Sequence, residues 1–189
     1  MIPVSHTTQT GIAYSDLYQV AGLGLGDPVC RNNNNLLGTP ASLPLWNSTA
    51  MRKAFGLFSE LTADQRFATS GFLLENYGMK GVHAVDESST AIPSEERRNS
   101  ILTSPALWWA GDDEEAKQKA SKFGKAMSDA MNEGQFEGER KRHSYVNYAS
   151  GEESLEEVYG HEEWRLEKLR KLKKVWDPLN RFGFYMSII

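Results

Sequence analysis

The chain contains a single cysteine and no long apolar run. Cys30 stands alone among 189 residues, so the sequence excludes an internal disulfide and a cysteine metal cluster. A lone cysteine is more often a small buried hydrophobe than a catalytic thiol. No segment approaches the roughly 20 apolar residues of a membrane span. Residues 1–11 also lack the charged-then-apolar pattern of a signal peptide, so we expect a cytoplasmic protein with no membrane contact.

An excess of positive charge is absent as well. The formal net charge is −4, whereas phosphate binding needs lysine and arginine clustered on one face. The basic run from Arg165 to Lys174 shares a predicted helix with Glu162, Glu163 and Glu167, which is typical of a solvated helix face. We therefore expect no nucleic-acid partner.

Glycine, asparagine and proline dominate residues 11–44, which favours an irregular surface connection with at most a short strand or helix near residues 14–20. The glycines of residues 22–26 invite comparison with a phosphate loop. No apolar strand precedes them and no Lys-Ser or Lys-Thr ending follows. A flexible loop is the better interpretation.

Three later stretches have the periodicity of amphipathic helices. The first starts with Ser48 as its cap and runs to about Leu61. The second opens with acidic residues at Asp112, which suit the positive end of a helix. The third runs from Glu162 to Trp176 and stops at Asp177-Pro178. The apolar stripes of the first two are Met51, Ala54, Phe55, Phe58 and Leu61, and Ala116, Ala120, Phe123, Met127 and Met131.

Other segments have a residue pattern that favours strands. Residues 72–77 and 82–85 predict an antiparallel pair around Gly78 and Gly81. Residues 101–109 predict a strand in which Pro105 indicates an edge or a bulge. Residues 143–148 predict a last strand.

These elements predict an α+β fold, an antiparallel sheet with helices packed on one face, in a single domain. Its parts are an irregular N-terminal segment (1–44), an α+β region (45–142) and a C-terminal strand and helix (143–189). Together they form one compact domain.

His83 and His143 both fall on predicted strands and could meet across the sheet. Glu75, Asp86 and Glu87 are the only near candidates for a third metal ligand. A histidine on a strand is usually just hydrogen-bonded, so we predict no metal site.

The C-terminal residues carry an ordered set of short motifs. They are Tyr145-Val146-Asn147-Tyr148, Tyr159-Gly160, Arg165-Leu166 and the run from Lys173 to Phe182 that contains Trp176-Asp177-Pro178. In order and spacing this set resembles the C-terminal signature of the berberine-bridge-enzyme-like, FAD-linked oxidoreductases. The middle of the chain is similar to that family's substrate domain through Ala91-Ile92-Pro93, Arg97 and Trp108-Trp109. The resemblance runs from about Thr39 to Phe182.

The resemblance implies a sheet that covers the flavin ring with one face. It implies a reaction cavity at Tyr145, Asn147 and Tyr148, which are the candidate catalytic residues. Strand alternation would send Tyr145 and Asn147 to one face and Tyr148 to the other. Further candidates for the substrate cavity are Thr103, Trp108 and His83, and Arg97 is expected to be structural.

The chain also departs from the family's pattern. Glu95 and Glu96 stand where the family usually has proline and histidine, and Glu162 and Glu163 replace an asparagine and an aromatic residue. The resemblance places the flavin ligands N-terminal to the part it covers. We therefore expect no cofactor to be bound by this chain alone, and FAD only if a separate flavin domain supplies it.

Three functions follow as hypotheses. The chain is the substrate-domain half of an FAD-linked oxidoreductase acting on a hydrophobic secondary metabolite, a cofactor-free cyclase that uses the same cavity, or a non-catalytic binding protein. In each case a hydrophobic ligand or surface is expected. Aromatic residues that cover the flavin domain in relatives would need a homodimer or a flavin-domain partner here.

Overall fold

A computed structural model describes residues 8–20, 34–135 and 141–189. The chain divides into two compact units, residues 1–34 and 35–189. The described part of the first unit contains a 3₁₀ turn, Tyr14–Asp16, followed by the short helix α1, Leu17–Val20. Cys30 and the glycines of residues 22–26 lie outside the described residues, so the predictions made for them stay predictions.

The larger unit is built on an antiparallel sheet, which has four strands in the described residues. The strands are β1 (Asn34–Gly38), β2 (Ala41–Leu43), β3 (Gly71–Asn76) and β4 (Ile101–Ala110). β4 is central and pairs with the other three. β3 pairs antiparallel with β4, Phe72 opposite Pro105 and Glu75 opposite Leu102. β2 pairs antiparallel through Ala41 and Thr103.

Pro105 therefore lies in a central strand, and the predicted edge position is wrong. Its carbonyl accepts a hydrogen bond from the Thr39 amide at 3.3 Å. In a strand the N–H and C=O of one residue point to the same side, so the missing N–H faces the break between β1 and β2. Because β1 and β2 are interrupted at Thr39-Pro40, no carbonyl of these strands needs a hydrogen bond from residue 105.

Two long helices cover one face of this sheet, as predicted. Helix α2 (Ser48–Thr62) is capped by the side chain of Asn47, and α5 (Glu114–Asn132) by that of Asp113. Asn47, rather than the predicted Ser48, is the cap. The two helices meet Leu107 and Trp109 of β4. Each fully buried leucine, phenylalanine or methionine side chain in this layer stabilises the fold by about 1.5–3 kcal/mol. The core residues are Leu61, Phe67, Leu107, Trp109, Ala116, Ala120 and Met127, and Ala41, Leu43, Met51, Ala54, Ala130 and Met131.

Shorter elements contribute the rest of the unit. They are α3 (Lys80–His83), α4 (Ser94–Arg98), α6 (Leu155–Tyr159) and the longer α7 (Glu163–Trp176), with 3₁₀ turns at Gln65–Phe67 and Glu87–Ser89. Ser154 and Glu157 form a reciprocal capping box at the start of α6. Helix α7 ends before Asp177-Pro178, as the proline predicts.

Three predictions are corrected. Residues 82–85 are not a strand, because Lys80–His83 turn into α3 and β3 pairs with β4 instead. Residues 143–148 contain no strand, since the Tyr148 amide donates to the carbonyl of Tyr145 at 2.9 Å and closes a turn. Residues 34–43, predicted as irregular, provide β1 and β2, because pairing with β4 outweighs their weak local strand preference. Among the helices of the described residues, none is long and apolar enough to cross a membrane.

Candidate functional site

A cavity of about 570 Å³ lies against the sheet face opposite α2 and α5. Leu102 of β4 lines it, whereas Leu107, five residues further along the strand, packs in the helix-covered core. The odd spacing places the two leucines on opposite faces. The lining residues are Tyr77, Met79, Val82, Ala91, Ile92, Pro93, Glu96, Leu102, His143, Tyr145, Val146, Asn147, Tyr148, Val158 and Tyr159.

Two buried arginines fix the loop that forms one wall of the cavity. Arg97 donates from Nη1 to the carbonyl of Val82 at 3.0 Å and from Nη2 to the hydroxyl of Thr90 at 2.7 Å. Arg165 of α7 donates from Nη1 to the carbonyl of Thr90 at 2.7 Å and from Nη2 to that of Glu87 at 3.3 Å. Their residues are 3% and 1% exposed. Charged hydrogen bonds of this kind hold in place a segment that has only short helical turns of its own.

Two glycines allow the walls to approach closely. Gly160, which ends α6 with φ of +97°, leaves room where a Cβ would lie 2.7 Å from Cβ of Pro93. At Gly38 of β1 a Cβ would lie 2.8 Å from the carbonyl oxygen of Tyr148. A side chain at either position would displace a segment that lines the cavity.

The candidate residues Tyr145, Asn147 and Tyr148 all line this cavity. The expected division between two sheet faces is wrong, because these residues form a turn rather than a strand. The rings of Tyr145 and Tyr148 meet edge to face with centroids 5.5 Å apart. Asn147 donates from Nδ2 to the Tyr145 hydroxyl oxygen at 2.8 Å.

Glu75 of β3 accepts hydrogen bonds from two phenols. Tyr148 donates to Oε2 at 3.0 Å and Tyr77 donates to Oε1 at 2.7 Å. Burial, together with the bond to Glu75, raises the pKa of Tyr148 to about 12. The bond to Glu75 raises the pKa of Tyr77 as well. Both phenols hold their protons at neutral pH and act here as donors rather than as bases.

A buried histidine pairs with a carboxylate at the same cavity. His143 Nε2 lies 2.5 Å from Oε2 of Glu96 in α4, and the His143 side chain is 2% exposed. Both residues line the cavity. The sequence missed this pair. The departure from the family's pattern at Glu96 is a signal that could have drawn attention to this residue.

The other predicted cavity residues lie elsewhere. The prediction that Thr103 lines the cavity is wrong. Its hydroxyl donates to the carbonyl of Ala41 at 3.0 Å and contacts Met131 of α5 in the helix-covered core. Trp108 is absent from the cavity lining, and its amide donates to the hydroxyl of Ser70. His83 is exposed on α3, with Nε2 2.6 Å from the carbonyl of Arg97.

His83 and His143 do not meet across the sheet, since each has its own partner. Within residues 8–20, 34–135 and 141–189, no group of three histidine, cysteine or acidic side chains is placed to hold a metal ion.

The lining does not fit a whole FAD molecule. A flavin dinucleotide carries a pyrophosphate that requires cationic side chains or free backbone amides. No lysine or arginine is among the described lining residues, and the one acidic residue there is Glu96. The cavity suits a neutral apolar ligand.

Comparison with known proteins shows which class this chain is related to. Residues 144–189 match the family model described as berberine and berberine like. Over 98% of its length the chain is 36% identical to the FAD-linked oxidoreductase chyH of Penicillium rubens, of which it covers 37%. Over 97% of its length it is 34% identical to the FAD-linked oxidoreductase anuG of Penicillium roqueforti, of which it covers 35%. A third FAD-linked oxidoreductase, from Gibberella zeae, is 34% identical over 98% of the chain and is covered over 36% of its length.

Residues 144–189 thus match the berberine-like family model, as the C-terminal motifs indicated, and nearly the whole chain is similar to part of several proteins named FAD-linked oxidoreductase. It spans little more than a third of the length of these relatives.

Proposed function

We propose that this chain supplies the substrate-facing cavity of an FAD-linked oxidoreductase that acts on a hydrophobic, ring-containing secondary metabolite. The observation that carries the proposal is the cavity itself, which combines apolar walls with a few phenols and one buried polar pair. Small-molecule sites commonly have this composition, in which apolar walls bind and a few polar groups orient.

Tyr145 and Tyr148 have different roles in this proposal. The Tyr148 hydroxyl donates to Glu75, so its ring rather than its proton faces the ligand. The Tyr145 hydroxyl accepts from Asn147 and has no acceptor for its own hydrogen in the described part of the chain. We assign to Tyr145 the hydrogen bond that a ligand oxygen accepts, with Asn147 orienting the phenol.

FAD, in this proposal, is held by a flavin-binding region outside the described cavity lining. An exposed apolar surface supports the existence of such a contact. Trp176, Phe182 and Phe184 are 80%, 79% and 95% exposed, and large exposed apolar patches usually mark interaction sites. We propose that this C-terminal aromatic surface packs against the flavin-binding region rather than against a second copy of the chain.

Binding of N-phenyl-1-naphthylamine, a neutral probe that fluoresces in apolar sites, tests the proposed cavity. Ile92→Asp introduces a charge into the cavity wall at a half-exposed position, and Val175→Asp makes the same change on α7 outside the cavity. We expect Ile92→Asp to weaken binding about tenfold or more, because the apolar ligand loses its contact surface, and Val175→Asp to leave it within about twofold. Equal effects of the two variants, or no binding by the unaltered chain, would contradict the proposal.

A further inference from the structure

The buried pair of Glu96 and His143 has one feature that packing alone does not explain. His143 Nδ1 is buried and has no hydrogen-bond partner among the residues that the structure describes. An unsatisfied buried polar atom costs about 1–3 kcal/mol, and such atoms are rare in native proteins. A group that arrives with the ligand would supply the missing partner.

The Glu96 carboxylate, which can only accept, is the basis on which we assign the His143 tautomer. Glu96 Oε2, 2.5 Å from Nε2, accepts the N–H there, and the hydroxyl of Ser42 also donates to the same carboxylate oxygen at 3.4 Å. The His143 carbonyl accepts from the Ser42 amide at 3.2 Å, which holds the backbone against β2. With its proton on Nε2, a neutral imidazole presents a lone pair on Nδ1.

We propose that His143 is a specificity-determining residue of the cavity, whose Nδ1 accepts a hydrogen bond from a hydroxyl group of the ligand. The ligand class is a neutral ring compound that carries a phenol or alcohol. The assignment rests on the proposed function, because it takes the same cavity as the substrate site. Leu102 and Val158 hold the ring by apolar contact, and His143 selects for the hydroxyl.

The charge of the site supports a neutral hydroxyl over a carboxylate. Glu96 lies beside His143 at the cavity, and Glu75 accepts hydrogen bonds from the phenols of Tyr77 and Tyr148. No cationic side chain among the described lining residues would neutralise an anionic ligand. A ligand carboxylate would therefore be desolvated without a counter-ion.

Two probes with the same ring test the assignment. 2-Naphthol carries a hydroxyl donor, and 2-methoxynaphthalene replaces its hydrogen with a methyl group. Fluorescence titration of the chain with each probe gives the ratio of the two dissociation constants. The double variant Glu96→Leu/His143→Phe removes the whole buried pair, so no unpaired charge is left behind. His161→Phe is the matched control, since the His161 ring bonds the carbonyl of Arg142 away from the cavity lining.

We expect the preference for 2-naphthol to fall about fivefold or more in the double variant, the effect of one hydrogen bond to a buried acceptor. The ratio should not change in His161→Phe. Glu96→Gln retains an acceptor for Nε2–H but removes the negative charge, and it should keep most of the preference. A preference kept in this variant supports a role for the orientation of the His143 ring rather than for the charge of Glu96.

An unchanged ratio in a double variant that still binds both probes would overturn the role of His143 and leave the proposed cavity intact. Failure of the unaltered chain to bind either probe would remove the cavity proposal as well.

Discussion

The two faces of the central sheet are covered in different ways. On one face, α2 and α5 bury an almost wholly apolar layer that includes Leu61, Leu107 and Met127. On the other face, α4, α6 and the turn at residues 145–149 are short. The buried Arg97 and Arg165 hydrogen-bond the adjoining segment at residues 82–90. Helices of five residues have little stability of their own.

The difference shows how one small domain combines a rigid support with a binding space. Two amphipathic helices of 15 and 19 residues cover the first face. On the second face, a few charged hydrogen bonds fix the segments that cover the sheet, and the space left between these segments is the cavity. Sites are commonly placed on loops that a rigid layer supports, and the first face supplies that layer here.

The largest expected difference between the two faces is the loss of stability when one leucine on each face of β4 is truncated. Leu107→Ala leaves a hole in a closed core and should lower the free energy of unfolding by about 4 kcal/mol. Leu102→Ala only enlarges a space that already exists and should cost about 2 kcal/mol, the lower end of such changes. Urea denaturation measures both. A larger loss for Leu102→Ala would show that the cavity face, rather than the helix layer, stabilises the unit.

Removal of a buried arginine should lower the stability through the cavity face alone. Arg165→Met loses the charged hydrogen bonds to the carbonyls of Thr90 and Glu87, and we expect a loss of about 2–3 kcal/mol in unfolding free energy. Lys171→Met, on the exposed side of the same helix, should stay within about 0.5 kcal/mol. Similar values for the two variants would mean that the arginine does not hold the cavity wall.

The smallest expected effect concerns the pH dependence of the cavity phenol. Burial and the hydrogen bond to Glu75 raise the pKa of Tyr148 in the folded state from the ordinary 10.0 of tyrosine to about 12. The protonated phenol therefore contributes fully to the free energy of unfolding below about pH 10, and this contribution is lost as pH rises through about 12. The unaltered chain should lose more stability than Tyr148→Phe between about pH 9 and pH 11.5.

Urea midpoints measured across that range check this prediction, with Tyr14→Phe in the N-terminal unit as the control. Parallel curves for the unaltered chain and Tyr148→Phe would show that Glu75 does not hold the Tyr148 proton.

The sequence predicted the helix-covered face better than the cavity face, and the reason is physical. The repeats in α2 and α5, such as Met51 and Ala54 or Ala116 and Ala120, are dictated by burial against a sheet and are visible locally. Residues 145–148 are rich in tyrosine and valine, which favour strands, yet the hydrogen bond from the Tyr148 amide to the Tyr145 carbonyl closes a turn. That choice depends on tertiary neighbours, which periodicity does not report.

The site was predictable in part. The family motifs placed Tyr145, Asn147 and Tyr148 at a cavity, and the structure brings all three to one lining. Thr103 was misplaced because the facing of β4 depends on which side the helices cover. The pairing of Glu96 with His143 joins residues 47 positions apart, and sequence separation of that order leaves no local signal.

Methyl NMR of the isoleucines during titration with 2-naphthol tests the central claim most directly. Ile92 lines the cavity, Ile101 packs against the helix-covered core, and Ile189 is 80% exposed at the C-terminal end. The proposed site predicts that the Ile92 δ1 methyl shifts with saturation while those of Ile101 and Ile189 stay in place. A shift at Ile189 with none at Ile92 would contradict it, because the ligand would then bind the exposed C-terminal surface instead of the cavity.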